Sequence, residues 1–239
     1  MNIAIILSGG CGSRLHSAIP KQYIKVGNRP IIQYCLETFQ QYSGIDKLII
    51  VSNPSWQKYV MGILDHARIS KFAGFAAAGS SRQHSIVNGL KVAQKIASPN
   101  SYVIIHDAAR PFVTVDTIEN CIKTLQVADA VMPVLPVKDT IYLSEDGMKI
   151  SGLLNRNHLF AGQSPEGFHL ERYLLLHENM TEQELGLVRG SSEIAYRHGL
   201  KVAFIAGDEH NYKITTQEDL NKFYDEVVKK NESIYVKGD

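Results

Sequence analysis

The chain has no long hydrophobic run. The stretch Ile3 to Leu7 near its start is far below the ~18 residues that cross a bilayer and too short for a signal-peptide core. A soluble, cytoplasmic protein with no membrane partner is expected. Cysteine is scarce: Cys11, Cys35 and Cys121 are odd in number, widely spaced and form no C-x-x-C pair. That argues against a disulfide framework and a structural zinc site and leaves buried or inert thiols as the expectation. Charge of either sign is not in excess, since 25 Lys+Arg against 24 Asp+Glu leave +1 over 239 residues, and no basic block occurs. A dedicated nucleic-acid binder is therefore not expected. Two phosphate-binding fingerprints are absent as well, G-x-G-x-x-G and G-x-x-x-x-G-K-[ST]; this removes the dinucleotide-binding and P-loop readings.

What is present is an ordinary globular composition, 44% hydrophobic and 21% charged, enough to build a core. The length suits a single domain over 1–239. Ile3-Ala-Ile-Ile-Leu7 is apolar at every position and ends in Ser8-Gly-Gly-Cys-Gly12, the pattern of a strand buried on both faces that enters a loop. Helical and apolar stretches then alternate. Helices are expected near 31–42, 55–66, 82–96 and 115–128, with strands at 47–52, 72–78 and 102–105 between them. Strands alternating with such helices indicate βαβ units and an α/β, wound, mostly parallel sheet.

Val131-Met-Pro-Val-Leu-Pro-Val137 reads as a further strand, and its two prolines favour an edge or an exit. The alternation then breaks. Residues 138–160 read as a protruding β-arm, a hairpin turning at Asp146-Gly147. Helices near 170–177 and 191–198, a strand at 201–206 and a closing helix at 217–229 complete the pattern.

Ser8-Gly-Gly-Cys-Gly-Ser-Arg14 follows the first strand, where a glycine-rich turn can present backbone N–H groups to phosphate oxygens. Ser8, Gly9, Gly10, Gly12 and Ser13 are thus candidate nucleotide-binding positions, although the same glycines also suit a plain β-to-α turn. Arg14 and Lys21, the latter fixed in Pro20-Lys-Gln-Tyr23, can both face one polyphosphate. Taken alone, His106 reads as a satisfied core residue and Asp107 as a helix cap.

These two segments together resemble the nucleotidyltransferases that activate sugar and polyol phosphates. His106-Asp-Ala-Ala-Arg-Pro111 narrows the resemblance to the 2-C-methyl-D-erythritol 4-phosphate cytidylyltransferases and their ribitol-5-phosphate relatives. Arg82-x-x-Ser85, Pro136-Val-Lys-Asp-Thr140, Asn155-Arg156, Gln163-Ser-Pro165 and Asn211-Tyr-Lys213 follow in the family's order. The resemblance implies a three-layer, Rossmann-like fold of the nucleotide-diphospho-sugar transferase type. It implies CTP and a small polyol phosphate as substrates, Mg²⁺ or another divalent cation as cofactor, and a homodimer formed through the 138–160 arm. It implies Arg14, Lys21 and Lys213 as catalytic cations. Gly79, Arg82, Ser85 and Asp107 would bind nucleotide, with Asp107 also at the metal. Arg110, Thr140, Arg156, Ser164 and Lys213 would bind the acceptor. Gly162-Gln-Ser-Pro165 is closer to the ribitol-phosphate branch, while Arg189-Gly190 stands where both branches show Thr-Asp and His210 occupies a usual Asp position. On this basis ribitol 5-phosphate is expected over 2-C-methyl-D-erythritol 4-phosphate. Other readings are transfer from another NTP or to a sugar 1-phosphate, and a non-catalytic nucleotide-binding relative.

Overall fold

The structure, a computed structural model, describes residues 1–10, 15, 17 and 19–235, the last seven by backbone alone. In chain order the strands are β1 (Asn2–Leu7), β2 (Lys25–Val26), β3 (Arg29–Pro30), β4 (Lys47–Ser52), β5 (Phe72–Ala77), β6 (Tyr102–Asp107), β7 (Ala130–Pro136), β8 (Ile141–Leu143), β9 (Gly152–Leu154), β10 (Phe160–Gly162), β11 (Glu166–His169) and β12 (Val202–Ala206). The helices are α1 (Ile31–Gln41), α2 (Pro54–His66), α3 (Arg82–Gln94), α4 (Val115–Thr124), α5 (Leu170–Glu178), α6 (Glu182–Leu187), α7 (Ser191–Arg197) and α8 (Gln217–Tyr235). Among the described residues no helix is long and apolar enough to cross a membrane.

Successive side chains of a strand point to opposite faces, and β1 shows why its run is apolar throughout. Ala4 and Ile6 join one core cluster with Leu36 and Phe39 of α1, Val60 of α2 and Ile118 of α4. Ile3 and Ile5 join the other, with Ile86 and Leu90 of α3, Tyr173 of α5 and Ile194 of α7. The result is the expected α/β architecture, helices on both faces of one sheet ordered β10-β7-β11-β6-β1-β4-β5, with β12 also paired to β7. Pairings β1–β4, β1–β6, β4–β5 and β7–β12 are parallel, whereas β10 and β11 run antiparallel to their neighbours.

Several sequence expectations need correction, and the strands β2, β3, β10 and β11 were not expected. β7 is interior, not an edge, for it pairs with β10, β11 and β12. Pro133 is tolerated because β11 hands over to β10 opposite it. The partners there shift from Gly167↔Val131 to Gly162↔Val134, and the Pro133 carbonyl still accepts from Gln163 N (2.8 Å). β6 continues to Asp107, beyond the expected end at Ile105. Helix α4 stops at Thr124, before the expected end at Ala128. Helix α6 was not expected at all, although Thr181 and Glu184 form a capping box at its start, a pattern legible in sequence.

The 138–160 segment does form a hairpin, with β8 and β9 as a separate two-stranded sheet. Its loop spans 144–151, longer than a tight turn. The Asp146 carboxylate accepts from the amides of Met148 (2.8 Å) and Lys149 (2.9 Å), and Gly147 takes φ +73, a conformation glycine adopts without steric cost.

Candidate active site

Parallel strands bring their carboxyl ends to one edge of the sheet, where ligands of open α/β folds bind. Leu7 at the end of β1 is in register with Asp107 at the end of β6. Gly9 and Gly10 follow β1, and Gly79 and Ser80 follow β5. Ser81 then caps α3, accepting from His84 N. With Lys21, Gln22, Arg82, Ser85, Lys213 and Thr215 these residues line a cleft of about 440 Å³.

Close packing dictates two of its glycines. A Cβ on Gly79 would lie 2.3 Å from His84 Cβ and 2.8 Å from Ser85 N, and one on Gly9 would lie 2.5 Å from Ala78 Cβ. Gly10, by contrast, has open space around its missing side chain.

Asp107 is the only carboxylate among the described lining residues, and three cations converge on it, Arg110 from three residues along the chain and Arg82 and Lys213 from distant parts of it. Oδ2 lies 3.0 Å from Lys213 Nζ and 3.6 Å from Arg110 Nε, and Oδ1 lies 3.5 Å from Arg82 Nε. Burial by itself would raise the Asp107 pKa. The Arg82, Lys213 and Arg110 charges outweigh it and hold the carboxyl well below the usual range. Lys21 enters from the turn 21–23, its Nζ donating to Ile214 O (2.6 Å), next to Lys213. The described part of the cleft thus presents Lys21, Arg82 and Lys213 against one carboxylate, a setting for a polyanion.

Residues 2–225 match the family model of 2-C-methyl-D-erythritol 4-phosphate cytidylyltransferase. The chain belongs to this family. It is a nucleotidyltransferase enzyme. Among relatives, it is 38% identical over 221 residues to the 2-C-methyl-D-erythritol 4-phosphate cytidylyltransferase of Clostridium botulinum (strain Okra / Type B1), covering 92% of this chain and 94% of the relative. It is 29% identical over 239 residues to the ribitol-5-phosphate cytidylyltransferase of Streptococcus agalactiae serotype III, covering 98% and 99%. The crystal structure of 4-diphosphocytidyl-2C-methyl-D-erythritol synthase from Anaerococcus prevotii superposes with TM-score 0.79 at 26% identity, over 96% of each chain.

The structure assembles most of the candidate nucleotide set of this cytidylyltransferase but not all of it. Gly9, Gly10, Lys21, Gly79, Arg82, Ser85, Asp107 and Lys213 meet at the cleft. Gly12, Ser13 and Arg14, with Cys11, lie outside the described residues. Ser8 is turned inward, its hydroxyl donating to Tyr23 Oη (2.8 Å). Arg110 touches Asp107 and donates to Asn211 O (2.7 Å). Ser164 does not line the cleft; buried at 2% exposure, its hydroxyl accepts from Asp107 N (3.1 Å) and faces His106 Nδ1 (3.1 Å). It positions rather than contacts. Thr140 and Arg156 are exposed on the arm, Arg156 donating to Lys138 O (2.8 Å), and neither lines the cleft. Arg189 is exposed, its main-chain N–H bonded to Glu193 (2.8 Å), and His210 lines a different cavity.

Two residues were missed by the sequence reading. Gln22 donates from Nε2 to Ser8 O (2.7 Å) and Gly10 O (2.8 Å), bracing the glycine loop; its place beside Lys21 in Pro20-Lys-Gln-Tyr23 was the available signal. Glu166 is buried and joins Arg82 to α7. One oxygen faces Arg82 Nη2 (3.3 Å), and the other accepts from Ser192 N (2.9 Å) and Ser192 Oγ (2.7 Å). Arg82 also donates to Ser191 Oγ (2.6 Å). No local pattern marks Glu166.

The histidine of the His106-Asp107 pair is a core residue. His106 is fully buried, Nε2 donating to Arg110 O (3.0 Å) and Nδ1 accepting from Ser164. Burial pushes its pKa down from 6.5 to about 4. The unfolded chain therefore binds this proton more readily, so the His106 contribution is complete above pH 6.5 and is lost as pH falls toward 4. The loss should be about 3 kcal/mol. Urea unfolding of the wild type and His106→Gln at pH 7 and pH 4.5 checks it: the variant should lose less stability on acidification, and equal losses would refute the assignment. Cys35 and Cys121 are buried as expected, and burial pushes both thiols up to about 12; Cys11 lies outside the described residues.

Proposed function

We propose that this cytidylyltransferase transfers CMP from CTP to a linear polyol phosphate of the ribitol 5-phosphate type. The observation that carries the reading is the convergence of Lys21, Arg82 and Lys213 on one cleft with a single described carboxylate. An oxygen of the acceptor phosphate attacks the α-phosphorus, a new P–O bond forms, the bond to the β-phosphate breaks and pyrophosphate leaves. Attack brings two anions together, so catalysis is mostly positioning and charge neutralisation. An acceptor phosphate with a second pKa near 6 is already ionised at pH 7, and no general base is required. Lys21 and Lys213 neutralise charge on the transferring group, and the α3 N-terminus with Ser85 receives phosphate oxygens.

The donor set fits Mg²⁺, which keeps several waters and needs only one or two carboxylates beside substrate phosphates. Asp107, kept ionised by its neighbours, would hold the ion, and its charge would further neutralise the triphosphate.

The acceptor reading rests on the Gly162-Gln-Ser-Pro165 segment, on similarity along the whole chain to a ribitol-5-phosphate cytidylyltransferase, and on a cleft whose described lining side chains are polar or charged apart from Leu7 and Ala109. Hydroxyls suit such walls better than a methyl branch. The higher identity to a methylerythritol-phosphate enzyme favours the alternative acceptor. Pyrophosphate release with saturating CTP and Mg²⁺ separates them: kcat/KM should be higher for ribitol 5-phosphate. Preference for 2-C-methyl-D-erythritol 4-phosphate overturns the acceptor and leaves cytidylyl transfer standing.

The exposed arm supports a twofold dimer in which Thr140 and Arg156 serve the partner's cleft. Ile150 (68%), Leu153 (66%) and Met148 (83%) are exposed on the arm, and apolar surface of that kind is buried by association. Mixed Lys21→Ala and Arg156→Ala subunits should then regain about one quarter of wild-type activity, because half of the dimers carry one intact site. Sedimentation as a monomer, or no recovery on mixing, would overturn the shared site.

A further inference from the structure

One cavity formed by the described residues stands apart from the catalytic cleft. It measures about 870 Å³, shares no lining residue with the cleft, and lies between the β2–β3 ribbon, the start of α1 and one face of α2. We propose that it binds a small aromatic anion, a planar ring bearing a phosphate or comparable charged group.

The rings come from α2. Trp56 and Tyr59 are one helical turn apart, edge to face at 5.8 Å, and both line the cavity. Behind them stands Tyr23, 1% exposed, 5.0 Å from Trp56 and 5.7 Å from Tyr59. The pair is therefore fixed from behind, while Tyr59 remains 36% exposed. Pro30 and Ile63 extend the apolar wall. Gly62 also lines the cavity, and a Cβ added there would meet nothing within 4 Å, so a larger side chain at this position has room to enter the space.

The charge is one-sided. Lys25 and Lys58 line the cavity and no Asp or Glu does among the described residues, in a chain whose acids and bases otherwise balance. A neutral aromatic would leave both ammonium groups unused, and a bare inorganic anion would leave the rings unused. A ring with an anionic substituent uses both, stacking on Trp56 and Tyr59 while its charge meets the lysines. The Tyr23 hydroxyl also bonds Ser8 Oγ (2.8 Å) and lies 3.0 Å from Ser52 Oγ, so the ring backing this cavity also braces the start of the glycine loop.

Trp56 is the only tryptophan in the chain, so its fluorescence reads this cavity. The probes are 4-nitrophenyl phosphate, with ring and charge, 4-nitrobenzyl alcohol, with the ring alone, and inorganic phosphate. With absorbance corrected, 4-nitrophenyl phosphate should quench saturably and at least tenfold more tightly than either control. Gly62→Leu, which fills the space with a better helix former, and the double variant Lys25→Glu, Lys58→Glu should each weaken binding at least tenfold. Both should keep wild-type kcat for cytidylyl transfer, which shows that they fold. Quenching that does not saturate, that 4-nitrobenzyl alcohol matches, or that survives both variants overturns the proposal.

Discussion

Replacing Lys21 with alanine should lower kcat about 100-fold or more, the usual cost of removing a donor aimed at transition-state charge. The ammonium group is held in place at 2.6 Å from Ile214 O, so it is preorganised beside Lys213. Because its charge matters most when the α-phosphoryl group is in transit, kcat and kcat/KM should fall in parallel. The fold should survive, since one main-chain hydrogen bond is worth only about 1 kcal/mol. Steady-state kinetics with circular dichroism as a folding control make the measurement. A kcat within about threefold of wild type would remove Lys21 from the catalytic set.

Asp107→Ala should cost both stability and activity. The carboxylate is 8% exposed and is shared by Arg82, Arg110 and Lys213. Removing one partner of a buried ionic cluster leaves like charges uncompensated. Glu166 still faces Arg82 and Lys213 is part-exposed, so we expect a loss of about 2–3 kcal/mol, somewhat below the ~3–5 kcal/mol usual when a fully buried pair loses one partner. In a chain of this length that lowers Tm by roughly 4–12 °C. Activity should fall about 100-fold or more, as for other groups that meet the reacting charge. Asp107→Asn keeps the shape and should recover much of the stability without the activity. The carboxyl is held below its usual range in the fold, so its contribution is complete above about pH 4, the ordinary unfolded value, and is lost only on further acidification. A variant with unchanged Tm and kcat would show that the cation cluster does not depend on Asp107.

What the sequence determined follows from local periodicity and local motif. A run such as Ile3 to Leu7, apolar on both faces, has no stable place except between two helical layers, and alternation with helices then selects a wound sheet. Gly9 was legible as a backbone-approach position and Gly79 was implied by the family resemblance, and both prove too crowded for a side chain. The arm was legible where the alternation broke.

Tertiary structure alone decided which side chains meet. Arg82, Arg110 and Lys213 carry no sign in sequence that all three turn to Asp107, and Glu166 carries no sign that it buries its charge between Arg82 and the start of α7. Periodicity reports which face of an element is buried, whereas ion pairs between residues as far apart as 107 and 213 are fixed only by strand order. For the same reason Pro133 misled: a missing N–H argues against an interior strand until the partner strand is seen to shift opposite it. The inward turn of Ser8 onto Tyr23 has the same origin, because a hydroxyl beside glycines satisfies itself on whatever neighbour the packing supplies.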